Sequence, residues 1–193
     1  MKRVAVLLEA PRPAFVPPAL VEALGAAHAV RLRRVVARRT LLAVREAGGE
    51  PIVWFTPPDA LGEMRRWLGL ALDFRPHHDR SPIPLVSELA AEGAWLLVRP
   101  AGAGITLDLL AEAGRALQDG RPVFGATTSG ELYLLGGPPA FAATAAEVPW
   151  GEPGVAVRFR ERLAAEHGAP PCELAALRDV RTPDDARAAG LLT

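Results

Sequence analysis

Val4-Ala5-Val6-Leu7-Leu8, running into Glu9-Ala10-Pro11-Arg12-Pro13, is the stretch on which the reading of the chain turns. The apolar residues follow one another without polar alternation, the pattern of a strand buried on both faces of a helix-covered sheet. A carboxylate and two prolines end the run, so a loop must follow it. The same kind of segment recurs at Pro51 to Phe55, Ala94 to Val98, Pro122 to Gly125, Leu132 to Leu135 and Cys172 to Leu177, with a weaker one near Leu70 to Phe74.

Between these strands the composition turns to helix formers. Pro18 to Gly48 is rich in Ala, Leu, Arg and Glu, with a break near Gly25 and a stop at Gly48-Gly49. Thr56-Pro-Pro-Asp59 opens a short helix through Trp67, Arg75 to Pro84 reads as a polar loop, and Leu85 to Glu92 as a helix. Thr106 is placed to cap Leu107 to Leu117, Pro153 to His167 is expected to be helical, and Thr182-Pro-Asp-Asp185 has the spacing of a capping box. Alternating strands and helices imply a three-layer αβα sandwich around a mostly parallel sheet, in one domain over residues 1–193.

Bulk properties narrow the function classes. Lysine plus arginine and aspartate plus glutamate both number 22, so no overall field favours nucleic acid or an anionic membrane. One cysteine, Cys172, excludes an internal disulfide and a multi-thiolate zinc site. The basic start is followed by too short an apolar run for a signal peptide, and Leu132 to Ala146 is interrupted by Gly136, Gly137, Pro138 and Pro139, against a membrane span. A cytoplasmic setting is expected, with no nucleic-acid or membrane partner.

In a parallel sheet the ligand site lies beyond the carboxyl ends of the strands. That directs attention to Glu9 to Pro18, Arg99 to Gly104, Ala126 to Gly130 and Arg178 to Thr182. The order of pieces along the chain, Val4 to Pro13, Phe55-Thr-Pro-Pro-Asp-Ala60, Tyr133-Leu-Leu-Gly136, Val148-Pro-Trp150 and Leu177 to Asp185, resembles the radical-SAM/selenodomain-associated transferases, glycosyltransferases of the GT-A type. The resemblance implies a nucleotide-diphospho-sugar transferase fold, a nucleotide or nucleotide-sugar ligand, and a divalent cation held by acidic residues.

The chain departs from the family where that chemistry resides. The family's first loop carries a Lys before its Ala-Pro and a Gly, Lys, Thr, Arg series after it. Glu9, Ala14, Pro17, Pro18 and Ala19 stand there instead. A carboxylate repels phosphate and proline donates no backbone hydrogen bond. The Gly-Ser-Asp-Ser-Pro-Asp after the fourth strand becomes Arg99-Pro-Ala-Gly-Ala-Gly104, the Glu-Asp-Gly-Gly becomes Thr128-Ser-Gly-Glu131, and Asp-Val-Asp-Thr becomes Asp179-Val-Arg-Thr182. Conventional metal-dependent transfer is not expected, and no cofactor is expected; Mg or Mn would enter only with residual transferase activity.

Two readings stay open: a nucleotide-sugar transferase homologue with a lost or altered site, and a non-catalytic protein that senses a ligand or binds a partner or a second copy of itself. A third is a metal-independent transferase in which Arg99 replaces the cation. The ligand-binding candidates are Arg12 and Arg99 for an anion, Thr128 and Ser129 to orient it, and Asp179, a carboxylate left from the last motif. Against these roles, Arg99 reads as an ion-pair partner of Glu9 or Glu131, and Thr127 to Gly130 as an ordinary turn. His77-His78-Asp79 reads as a solvated loop; Arg31, Arg34, Arg38 and Arg45 as a solvated helix face; Trp54, Trp67 and Trp95 as core; and Cys172 as a structural thiol. Trp150 is set apart, because its Val-Pro-Trp piece is associated with the family's acceptor side. No Gly-x-Ser-x-Gly or His-Glu-x-x-His motif is present.

Overall fold

The first apolar run forms the strand β1 (Arg3–Glu9), in a computed structural model that describes residues 3–77, 83–147, 154–167 and 170–192. Its side chains alternate between layers: Val4, Val6 and Leu8 face one core, and Ala5 faces the other. Burial on both faces is what removed polar alternation from its sequence.

Two helices follow, α1 (Pro18–Leu24) and α2 (Ala26–Glu46), divided at Gly25. After β2 (Glu50–Thr56) and a 3-10 turn come α3 (Leu61–Leu68) and the edge strand β3 (Asp73–Pro76). The chain continues through α4 (Ile83–Ala91), β4 (Trp95–Val98) and α5 (Leu107–Gln118). β5 (Val123–Thr127), β6 (Leu132–Gly137), a 3-10 turn at Pro139–Phe141 and α6 (Ala142–Ala146) come next. α7 (Val155–His167), β7 (Cys172–Leu177) and α8 (Pro183–Ala188) complete the order.

The seven strands form one sheet in the order β3-β2-β1-β4-β6-β5-β7. β6 alone among the described strands runs against its neighbours, β4 and β5; every other pairing is parallel. Helices α2, α3 and α5 pack on one face through Leu41, Val44, Met64, Leu110 and Ala113. Helices α4, α6 and α7 cover the other through Leu85, Leu89, Ala145, Phe159 and Leu163. A third cluster locks α8 to α1 and α2 around Leu20, Val36 and Ala186. The architecture is the αβα sandwich that the alternation of segments implies.

Several local expectations hold for the stated reasons. Thr106 caps α5 by accepting from the Leu109 amide at 3.4 Å, and Thr182 with Asp185 closes a reciprocal capping box on α8. Two differ. β3 begins three residues later than the apolar run suggests and takes in Arg75 and Pro76, because an edge strand is held by backbone pairing to Ile52 through Phe55 rather than by burial. α6 was invisible: Ala-Ala-Thr-Ala-Ala has no polar face, and its place is set by packing on α4.

The expected solvated stripe on α2 is partly engaged. The Arg34 guanidinium lies 6.0 Å from the Trp67 ring centroid, and Arg38 donates to the Trp67 carbonyl at 2.9 Å, tying α2 to α3. Trp54, Trp67 and Trp95 are buried, as expected of core residues. Cys172 is half-buried at the start of β7, and burial pushes its thiol pKa up, toward an inert protonated form. His77 is half-buried, edge-on to Trp54; His78, Asp79 and the Val148-Pro-Trp150 piece lie outside the described residues. No described helix is long and apolar enough to cross a membrane.

Candidate functional site

Because β6 is reversed, its amino end lies beside the carboxyl ends of β4, β5 and β7. Three loops therefore meet at one edge, and each delivers a charged or polar residue. Arg99 directly follows β4, and its amide donates to the Tyr133 carbonyl at 2.8 Å. Glu131 directly precedes β6, while Asp179 and Arg181 follow β7. The loop after β4 touches the loop after β7 at Gly102: φ is +56°, and an added Cβ would lie 3.0 Å from the Arg178 carbonyl oxygen. Glycine is required there for both reasons.

The charged side chains form a ladder of alternating sign. Arg99 Nη2 donates to Glu131 Oε2 at 2.5 Å; Arg181 Nη2 donates to the other Glu131 oxygen; and Arg181 Nε stands 3.9 Å from Asp179 Oδ2. Glu131 is thus a bridging carboxylate with one oxygen for each guanidinium. Two polar atoms in the ladder are buried without a hydrogen bond: Arg99 Nε and Asp179 Oδ2. Unmet groups of this kind are uncommon and call for a reason.

Burial works against the charge of Glu131, but the hydrogen bond and charge of Arg99, together with Arg181, outweigh it and hold the carboxyl below its usual range. Because the folded-state pKa is the lower one, the stabilisation is complete above about pH 4.3, the ordinary glutamate value, and disappears as pH falls through the folded value. The wild-type chain is expected to exceed Glu131→Gln in urea midpoint at pH 7 and to lose that advantage progressively as the pH is lowered below the ordinary glutamate range. A gap unchanged across the range would refute this account of the ladder.

The candidates from the sequence divide. Arg99 and Asp179 belong to the ladder, and of the two ion-pair partners open to Arg99 the structure selects Glu131. Glu9 is taken by Arg33 at 2.8 Å. Thr128 and Ser129 sit exposed on the adjoining loop, which is held as a local turn: Thr127 and Ser129 hydroxyls lie 3.1 Å apart, the Gly130 amide donates to Thr127, and the Thr128 amide donates to the Leu177 carbonyl. Arg12 is not brought to the ladder. Its guanidinium grips Glu63 of α3 at 2.7 Å, with Asp59 at 3.5 Å, beyond β2 rather than β4. Arg181 and Glu131 are not among the ligand-binding candidates of the sequence; the signal for Arg181 is its place in Asp179-Val-Arg-Thr182, where the resemblance calls for an acid.

The donor set does not fit a divalent cation. Both ladder carboxylates already face guanidinium groups, whereas a hard cation takes an oxygen shell. Among the described residues no three His, Cys, Asp or Glu side chains come together as ligands. A cleft of about 560 Å³ between Arg3, Arg45, Glu92 and Trp95 lies at the amino ends of β1 and β4, the opposite end from the ladder.

No protein-family model and no curated protein match the sequence. Solved structures do. A protein of Desulfovibrio desulfuricans G20 assigned to the nucleotide-diphospho-sugar transferases superposes with a TM-score of 0.81 at 19% identity, over 94% of this chain and 82% of that one. The 2-C-methyl-D-erythritol 4-phosphate cytidylyltransferase of Thermus thermophilus gives 0.55 at 16% identity, over 98% and 97%. Rv0371c of Mycobacterium tuberculosis H37Rv, in complex with manganese, gives 0.56 at 17%, over 98% of each chain. At such identities the likeness concerns the fold alone, and on that ground this chain has the fold of the nucleotide-diphospho-sugar transferases.

Proposed function

We propose that the chain is a divergent nucleotide-diphospho-sugar transferase-like protein that takes a nucleotide or nucleotide sugar at the ladder edge without a divalent cation. The observation that carries this reading is the Asp179–Arg181–Glu131–Arg99 ladder across the ends of β4, β6 and β7. In an open α/β sheet this is the edge at which ligands bind. Guanidinium groups offer a phosphate fixed, paired donors and need no metal to do so. The closer kinship, to the radical-SAM/selenodomain-associated transferases, rests on the order of sequence pieces from Val4 to Asp185. Loss of conventional metal-dependent transfer follows from the same substitutions, which put Arg99 and Arg181 where that family has small or acidic residues.

Thermal unfolding with nucleoside diphosphates and nucleotide sugars, each with manganese, magnesium or a chelator, tests the proposal. A ligand at a hundred times its dissociation constant stabilises the native state by about 2.7 kcal/mol, a midpoint rise of several degrees in a chain of this size. The expected rise is the same in chelator as in manganese. A rise that requires the metal overturns the metal-free site; no rise with any nucleotide leaves the non-catalytic, partner-binding reading in its place.

A further inference from the structure

We infer that Glu131 is an internal stand-in for a phosphate: its carboxylate closes an anion site made by Arg99 and Arg181, and a diphosphate group opens that site by exchanging with it. The inference rests on the nucleotide-binding reading above and adds what the ligand must displace.

The bridging geometry comes first. Glu131 gives one oxygen to Arg99 and the other to Arg181, so the two guanidinium groups converge on a single small anion. They arrive from loops 82 residues apart in sequence, one after β4 and one after β7 (181 − 99). A phosphate presents its oxygens in the same way.

The match to the carboxylate is also incomplete. Arg99 uses Nη2 alone, leaving the neighbouring Nε–H buried and without an acceptor. Elsewhere in the chain one carboxylate oxygen, Glu63 Oε1, accepts from both Nε and Nη2 of Arg12; Glu131, shared between two guanidinium groups, does not reach Arg99 Nε in this way. A phosphate group has an oxygen for each of the three donors. The orphaned Nε–H is a buried donor that Glu131 leaves unmet and that a phosphate oxygen can accept.

Access and charge agree with exchange. The Arg99 and Arg181 side chains keep 38% and 53% of their surface exposed, so solvent reaches the cations even while Glu131, at 23%, lies between them. The four ladder groups sum to zero charge, which leaves no net attraction for a diphosphate while Glu131 stays in place. Swinging the Glu131 carboxylate into solvent leaves two guanidinium groups facing one carboxylate, Asp179, whose Oδ2 stands 3.9 Å from Arg181 Nε. The exposed Thr128 and Ser129 lie on the same loop as Glu131.

Exchange sets the affinity, because the ligand must compete with a tethered carboxylate. Removing the competitor's charge while keeping its shape must then tighten binding. Titration calorimetry of inorganic pyrophosphate, uridine diphosphate and cytidine diphosphate, in chelator, into wild type and Glu131→Gln provides the test. Glu131→Gln is expected to bind the diphosphate group about tenfold more tightly, the effect of roughly one charge-assisted hydrogen bond. Arg181→Gln in the Glu131→Gln background is expected to lose that gain. Urea unfolding of each variant establishes that it is folded. Pyrophosphate alone showing the gain assigns recognition to the free diphosphate; a further gain with one nucleoside assigns it to the nucleotide. Nucleotide binding to wild type that is unchanged or weakened in Glu131→Gln overturns the exchange and leaves the nucleotide reading intact. Absence of binding to both proteins overturns the two together.

Discussion

Trp95→Ala is expected to destabilise the chain by about 3–5 kcal/mol, the usual cost of emptying a buried aromatic site. Whole-domain stabilities are about 5–15 kcal/mol, so the variant should be close to unfolding at 37 °C. Trp95 opens the central strand β4, is 1% exposed, and stacks on Phe141 with centroids 5.9 Å apart and planes 6° from parallel. Phe141 packs on Phe159 of α7 at 5.6 Å, and Phe159 meets Phe124 of β5 edge-on at 5.5 Å. Four rings thus join two strands, the turn before α6, and α7, and alanine removes the first of them. Denaturant unfolding measures the loss, with Trp95→Phe as the control. The indole N–H of Trp95 is buried without an acceptor, so phenylalanine sacrifices volume but relieves an unmet donor. A loss for Trp95→Ala of no more than about 1 kcal/mol, the scale of an ordinary surface change, would contradict this account of the core.

Gly125→Ala is expected to cost about 3 kcal/mol, which is large for the addition of one methyl group. A Cβ at Gly125 would lie 2.3 Å from Tyr133 Cζ and 2.5 Å from its hydroxyl oxygen. The Tyr133 ring cannot move aside freely: it is fully buried, and its hydroxyl donates to the Ala175 carbonyl at 2.8 Å. Burial also raises the Tyr133 pKa, so the phenol stays a donor. The contact therefore links β5, β6 and β7 through a single ring. Since Glu131 lies two residues before Tyr133, the substitution should also disturb the Arg99–Glu131 bridge. Unfolding of Gly125→Ala, Tyr133→Leu and the double variant checks the mechanism, because residues in direct collision are non-additive. The double variant should be more stable than the sum of the single losses allows; strict additivity would show that the ring is not what the methyl group strikes.

Much of the scaffold could be read along the chain because it is a matter of local periodicity. Uninterrupted apolar runs such as Val4 to Leu8 mean burial on both faces, and helix formers between them mean crossovers. Caps at Thr106 and Thr182 depend on residues three positions away. The direction of β6 was also within reach, since the connection from Thr128 to Glu131 is far shorter than the dozen or so residues a parallel crossover needs. α6 was not, because five small residues without a polar face carry no period at all.

By itself, then, the sequence determined the layer architecture, the positions of most strands and helices, and which loops follow the carboxyl ends of the strands. The tertiary structure alone decided how the charges on those loops pair. Arg12 and Arg99 are equivalent in sequence, each an arginine just past a strand, yet Arg12 is absorbed by Glu63 and Arg99 enters the ladder. Arg181 joins the ladder only because β7 and the reversed β6 carry it to a carboxylate 50 residues away in sequence. Periodicity is set by neighbours along the chain, whereas an ion pair depends on separations of a few ångströms that only the order and direction of strands can fix.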